Sequence, residues 1–286
     1  MRDDFAVLIL SHGRADKMRT VRTLEAGGYT GKTYIIIDDE DDTADEYLRR
    51  FGSSVIKFSK SEMDGKFDIG DNLDDRRVVV YARNKCHQIA NELGLKYFLE
   101  LDDDYTEIDY RWWDGERLKA GRCKQLDNLF EAMIHFLDVS GSITVAFAQG
   151  GDLIGGANRT FWKGLSRKAM NAFFCRVDRP FEFYGRINED VNMYVMNNIW
   201  GNRLFTLMNV AVVQPQTQTT KSGLTDIYLD MGTYYKSFIS VMYAPSCVKV
   251  TMMNTTHKRV HHTVSWDNCA PKILSEYWRK RGRAVA

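Results

Sequence analysis

Three consecutive carboxylates, Asp102, Asp103 and Asp104, follow the apolar run Tyr97-Phe98-Leu99-Glu100-Leu101. The run reads as a buried strand that delivers acids to its carboxyl end. In an extended chain alternate side chains share a face, so Asp102 and Asp104 point one way and Asp103 another. Neighbouring carboxylates repel one another unless a cation lies between them. Hard divalent ions take oxygen ligands and share them with substrate phosphates. The acids therefore predict a metal–diphosphate site, against the blander alternative of a solvated acidic turn.

Other candidates fall at similar places. Asp38-Asp39 also ends an apolar run, where a carboxylate can accept hydrogen bonds from a ribose or a base edge. In the turn Ser11-His12-Gly13-Arg14, Arg14 can pair with a diphosphate and Gly13 permits close backbone approach. Arg83-Asn84 falls within a helix just before the Asp102 strand. There Arg83 either lies on an exposed helix face, or reaches the nucleotide or organises the acids. Asn188-Glu189-Asp190 stands at a helix start, where acids favour the dipole and Asn188 can cap. The same carboxylates can take an acceptor hydroxyl proton as general base. His261-His262 would face opposite ways in an extended segment, one a metal or phosphate contact and the other structural.

These residues need a scaffold of strands ending on one edge. Strands are expected at Phe5–Leu10, Thr33–Ile37, Ser54–Phe58, Lys96–Leu101, Ile143–Phe147, Leu204–Val213 and Val248–Met252. Helices are expected at about 16–26, then at 43–51, 77–93, 124–137, 188–200 and 226–243. The β-α-β-α-β opening is that of a doubly wound α/β sheet binding ligands at strand carboxyl ends. Residues 59–75 read as a mobile polar loop, and residues 157–185 as irregular, aromatic and basic. Trp112-Trp113 and Phe161-Trp162 sit in polar, basic surroundings. With Arg159, Lys163, Arg167, Lys168, Arg176 and Arg179 they could stack a base and hold phosphates, though aromatics are core by default.

With 286 residues, 44% hydrophobic and 27% charged, the chain is long enough for one large α/β domain. A net charge of +1 argues against a protein coated in nucleic acid but allows a basic face. Five scattered cysteines without metal-ligand spacing suggest reduced thiols and an intracellular setting. Met1-Arg2-Asp3-Asp4 leads into a strand without a signal-peptide pattern, and no apolar run is long enough to cross a membrane. The chain lacks GxGxxG and GxxxxGK[ST], so neither a dinucleotide fold nor an ATPase-type phosphate loop is supported. Without an obvious linker, the simplest partition is one domain: a nucleotide-sugar half (1–110), an acceptor half (111–250) and a closing tail (251–286).

Assembled in order, these residues resemble the GT-A class of glycosyltransferases. The matching elements are Ser11-His12-Gly13-Arg14, Asp38-Asp39, Ala82-Arg83-Asn84, Asp102-Asp103-Asp104, Glu189-Asp190 and a late histidine. Within that class the opening Ser-His-Gly-Arg, Leu101-Asp102-Asp103-Asp104 and Arg259-Val260-His261-His262 with Trp266 look most like the TET/JBP-associated glycosyltransferases of bacteriophages and kinetoplastids. The resemblance implies a GT-A-like, Rossmann-type mixed sheet flanked by helices, with a C-terminal elaboration. It implies a UDP-sugar donor, a divalent cation (Mn2+ or Mg2+), and hydroxymethylated pyrimidines in double-stranded DNA as acceptor. The setting would be the cytoplasm of a phage-infected bacterium. On this sequence, Ser11, His12, Arg14, Asp38 or Asp39, Arg83, Asp102 and Asp103 would bind the donor. Asp102, Asp104 and His261 or His262 would meet the metal, and Asp190 or Glu189 would be the base. The rivals are a polysaccharide or protein acceptor, a binding module without chemistry, and a metal-dependent phosphoryl-transfer enzyme.

Overall fold

Phe5–Leu10 is apolar at every position and forms β1, a strand buried on both faces. Such continuous apolar runs belong to parallel strands covered by helices on either side. The computed structural model describes residues 1–73, 75–153, 165–214, 225–254 and 258–269. Arg159, Phe161-Trp162-Lys163, the polar stretch 215–224 and the tail 270–286 lie outside the described residues.

The first half alternates strand and helix: α1 (Arg19–Ala26), β2 (Lys32–Asp38), α2 (Ala44–Phe51), β3 (Val55–Phe58), α3 (Val80–Glu92) and β4 (Tyr97–Asp102). A hairpin, β5 (Glu107–Trp113) and β6 (Leu118–Arg122), then precedes α4 (Leu126–Ser140) and β7 (Thr144–Ala148). After these come β8 (Leu165–Ser166), β9 (Phe173–Arg176), α5 (Glu189–Ile199), β10 (Leu204–Val213) and α6 (Thr225–Tyr243). The hairpin β11 (Val248–Asn254) and β12 (Lys258–Val264) and a short α7 (Trp266–Cys269) follow.

Among the described residues ten strands make one mixed sheet, in the order β3-β2-β1-β4-β9-β7-β10-β5-β6, with β8 paired onto β10. The strands β3, β2, β1 and β4 run parallel. Inserted antiparallel between β4 and β7 is β9, and β5 runs antiparallel to β10. The α/β class with a mixed sheet flanked by helices, expected from the sequence, is the architecture found, and β11–β12 is a separate C-terminal hairpin.

The pleat sorts the core. Ala6, Leu8 and Leu10 of β1 and Phe98 of β4 pack with α3, α5 and α6 residues such as Val80, Val191 and Ile239. Phe5, Val7, Ile9, Leu99 and Leu101 pack on the other side with Leu24, Tyr47 and Phe130. By the same alternation Glu100 and Asp102 face α3, which carries Arg83.

Several elements depart from the sequence reading. The expected first helix is split: a short 3-10 turn at Ala15–Lys17 precedes α1, with Met18 between them. Trp112 and Trp113 lie in β5 rather than in a loop, and the β5–β6 turn is set by Asp114, whose carboxylate accepts the Glu116 and Arg117 amides. Part of the irregular stretch becomes β9, and the expected tail becomes β12. The polar loop after β3 is tied down. Gly185 and Arg186 donate their amides to Asp68 and Ile69. The Arg186 guanidinium, 1% exposed, pairs with Asp71 at 2.8 Å and also reaches the Leu73 and Asp75 carbonyls. The Tyr235 hydroxyl donates to Asp71 from α6. All five cysteines are free and buried, and no described helix is long and apolar enough to cross a membrane.

Removing one partner of a buried ion pair strands the other. Arg186→Leu is therefore expected to lower unfolding free energy by about 3 kcal/mol, read from the shift of a urea melt.

Candidate active site

The carboxyl ends of β1, β2 and β4 meet at one edge of the sheet, and the acids collect there. The turn after β4 is clamped by the start of α1. The Thr20 hydroxyl, fully buried, donates to the Asp102 carbonyl at 2.6 Å and accepts the Tyr105 amide at 3.0 Å. The Thr20 amide also donates to the Asp103 carbonyl. This clamp holds the three acids on different bearings. The Asp102 and Asp104 side chains are 28% and 37% exposed, whereas that of Asp103 is 6% exposed.

Asp103 is gripped by the β1 turn. The Ser11 hydroxyl and the Arg14 guanidinium (3.1 Å) both donate to it. Tyr47 completes the grip, its hydroxyl meeting Ser11 Oγ at 2.6 Å and accepting the Arg14 amide. Burial still outweighs these partners and raises the Asp103 pKa. Asp104 stands 3.9 Å from the same guanidinium, and burial together with Asp102 and Asp103 pushes it up to about 6. Burial is the larger part of that rise, and the two neighbouring carboxylates add the part that a cation would relieve.

His12, Asp38 and Lys60 form a second cluster. Asp38, 5% exposed, accepts from His12 Nδ1 at 2.8 Å and from Lys60 Nζ at 3.0 Å. Lys60 is itself buried, and Asp41 accepts the Gly13 amide at 2.8 Å. Burial alone would raise Asp38, but His12 and Lys60 win and lower it, while the hydrogen bond to Asp38 raises His12. Asp39 is exposed and receives the Lys60 amide at 3.0 Å. Of the two adjacent acids, Asp38 is thus enclosed by protein partners and Asp39 is open.

Arg83 forms the third cluster and links β4 to α5. Its guanidinium is 5% exposed and donates in three directions: Nη1 to Glu100 at 2.7 Å, Nη2 to Asp102 at 3.1 Å, and Nε to Glu189 at 3.2 Å. The Tyr105 hydroxyl donates to the other Asp102 oxygen at 3.3 Å.

At the start of α5, Asn188 does not cap as its type suggested. Its backbone is left-handed (φ 55°), and its amide nitrogen donates instead to the Lys236 carbonyl on α6. His262 Nδ1 lies 3.5 Å from that amide. The His261 and His262 rings are 4.4 Å apart although both belong to β12, so they do not diverge as an extended segment would require. Burial and the cations His261, Lys236 and Lys168 push His262 down to about 4. Asp190 accepts the Val191 amide at 2.7 Å. Burial and the neighbouring Glu189 push its carboxyl up to about 7, against the pull of Arg83 and Lys236.

Ser11, Arg14, Asp103 and Asp104 are thus brought together, as are His12 with Asp38, and Arg83 with Asp102 and Glu189. His261 and His262 border the start of α5. Among the described residues no three His, Cys, Asp or Glu side chains are grouped to hold a metal by themselves. Glu100, Lys60, Asp41 and Tyr47 were not picked out from the sequence. Glu100 could have been found, because an acid in the middle of an apolar strand requires a buried partner.

The TET-associated glycosyltransferase family model (TAGT) matches residues 5–223. The chain belongs to this family. Every cluster above except the histidines of β12 and Lys236 falls inside the matched span. No curated protein matches the chain. Among solved structures the chain is similar to glucosyl-3-phosphoglycerate synthase from Mycobacterium tuberculosis with Mn2+ and UDP-glucose. That match has 9% identity and TM-score 0.48, covering 91% of this chain and 86% of that one. The same enzyme with Mg2+ and UDP matches at 8% identity and TM-score 0.46, covering 92% and 90%. GalNAc-T7 with UDP, GalNAc and Mn2+ matches at 12% identity and TM-score 0.41, covering 73% and 43%.

The His12–Asp38 pair sets a pH window. The raised His12 contributes stability fully below its ordinary 6.5 and loses it as pH climbs through the raised value. The lowered Asp38 contributes above its ordinary 3.8 and loses it as pH falls through the lowered value. In an NMR titration His12 should show a midpoint above 6.5 that Asp38→Asn moves back down.

Proposed function

We propose that this protein transfers a hexose, glucose as the first candidate, from a UDP-sugar to the hydroxymethyl group of 5-hydroxymethylpyrimidines in double-stranded DNA. The observation that carries the reading is the single guanidinium of Arg83 joining Asp102, on the donor side, to Glu189 beside Asp190. It places a diphosphate-binding edge and a candidate base within one cluster. The DNA acceptor is supported by the family and by an exposed aromatic surface on β5, where Tyr110 and Trp112 share a face and Trp112 pairs across the hairpin with Lys119.

The donor side suits a nucleoside diphosphate. Asp39 is open to a ribose or base edge, while His12, Asp38 and Lys60 fix the floor beneath it. Arg14, anchored on Asp103, is placed to meet phosphate oxygens. Asp102 and Asp104 suit a hard divalent ion: both are partly exposed carboxylates, and such ions complete their shell with substrate oxygens and water. The bound ion would neutralise charge on the leaving diphosphate. His261 or His262 would close the site from the hairpin, meeting the metal or the diphosphate.

The two acids of α5 take different parts. Glu189 is engaged by Arg83, which leaves it a poor base. Asp190, held near pH 7 by burial, can accept the proton of the acceptor hydroxyl at its carboxylate. The enzyme would act in the cytoplasm of a phage-infected bacterium.

Three measurements test this. Incubation with a panel of UDP-sugars should release UDP with hydroxymethylated duplex DNA and not with plain DNA. Turnover on a polysaccharide or protein instead would replace the acceptor. Asp190→Asn should cut kcat by about a thousandfold, and in the parent kcat should rise as pH passes about 7 and then level off. Chelation should abolish transfer and Mn2+ restore it, with Asp102→Asn needing more metal for half-maximal rate.

A further inference from the structure

Beneath the acids lies one more carboxylate, which touches no solvent. Glu100 of β4 is 1% exposed and two residues before Asp102, so it shares the face turned toward α3. It makes the shortest of the three Arg83 contacts, 2.7 Å. The rings of Phe173 and Phe183, 5.1 Å apart and nearly perpendicular to each other, lie on one side of the guanidinium, 5.3 and 5.5 Å from its carbon. Phe173 is also the cross-strand partner of Glu100 on β9. The rings cover one side of the guanidinium and leave its orientation to be set by its acceptors. A planar fork is immobilised in its plane when it is bonded along separate directions. Glu100 supplies the direction that neither Asp102 nor Glu189 covers.

We propose that Glu100 is a positioning residue: its buried carboxylate fixes Arg83 where one cation joins the donor-side Asp102 to Glu189 at the start of α5. This rests on the glycosyltransferase reading above and assigns that site a residue outside its contact surface. Glu100 reaches the reaction only through Arg83. Asp102 and Glu189 belong to elements separated by residues 103–188, and Arg83 is their common partner. A small rotation of Arg83 would release one acid while keeping the other, and would shift the start of α5 against the donor edge. Arg83 Nη1 needs only an acceptor oxygen along this direction, which the side-chain carbonyl of a glutamine also supplies.

Two variants separate position from charge. Glu100→Gln keeps the reach and loses the charge, whereas Glu100→Asp keeps the charge and falls one methylene short. Glu100→Gln is expected to hold kcat within about threefold of the parent, and Glu100→Asp to lower kcat by about a hundredfold with the UDP-sugar KM little changed. The opposite order, or a loss carried by donor KM alone, overturns the proposal. A crystal structure of Glu100→Asp gives a readout independent of turnover. Arg83 displaced from Asp102 or Glu189 supports the positioning role, and Arg83 unmoved overturns it. Should the parent release no UDP from any donor with any acceptor, the glycosyltransferase reading fails while the crystal structure still decides the role of Glu100.

Discussion

A buried guanidinium surrounded by three carboxylates organises the working edge of this molecule. Arg83 cannot lose its proton, and in a largely closed site it requires an acceptor on every donating side and anions among them. Glu100 and Asp102 come from β4 and Glu189 from α5, so α3, β4 and α5 must converge on one point. Conversely, the acids could not stand so close without the cation. The constraint is mutual: the end of β4 and the start of α5 hold a fixed relation because both are bonded to the same side chain.

Around that hub each acid is assigned by what encloses it. Asp103 is held by Ser11 and Arg14, and Asp38 by His12 and Lys60, so both act as struts beneath the site. Asp39, Asp102 and Asp104 retain open surface, and Asp190 accepts the Val191 amide at the start of α5. One residue type thus supplies both the frame and the reactive surface, and the difference between them is burial and partners rather than identity.

Much of this was legible in the sequence, for identifiable reasons. The parallel strands carry apolar runs, so β1, β2, β3 and β4 stand out, and the acids that end β2 and β4 stand out with them. The alternation rule separated Asp103 from Asp102, but β4 ends at Asp102, and in the turn beyond it Asp104 joins Asp103 beside Arg14 rather than sharing a face with Asp102. Less legible were strands whose pattern is set by neighbours distant in the chain. In β5, Tyr110 and Trp112 face solvent while Ile108 is buried, and in β9 only four residues join the sheet. Asn188 looked like a cap by type, but the pull of α6 placed its side chain elsewhere. Lys60 was missed because nothing local distinguishes it, its partner Asp38 being about twenty residues away in sequence, whereas Glu100 stood out as an acid inside an apolar strand and its partner Arg83 did not.

The sheet order has a consequence for how the chain reaches this state. As it leaves the ribosome, β4 can pair with β1 at once, but its other neighbour β9 comes only after residues 103–172. The β5–β6 hairpin waits longer still, since it joins the sheet only through β10. Until then β4 presents an open apolar border with Glu100 facing an unfinished core. Long-range pairing of this kind slows folding and leaves strand borders exposed to misassociation. The acids that ready the edge for a diphosphate also give the nascent border a strong like charge, which should discourage premature pairing between chains.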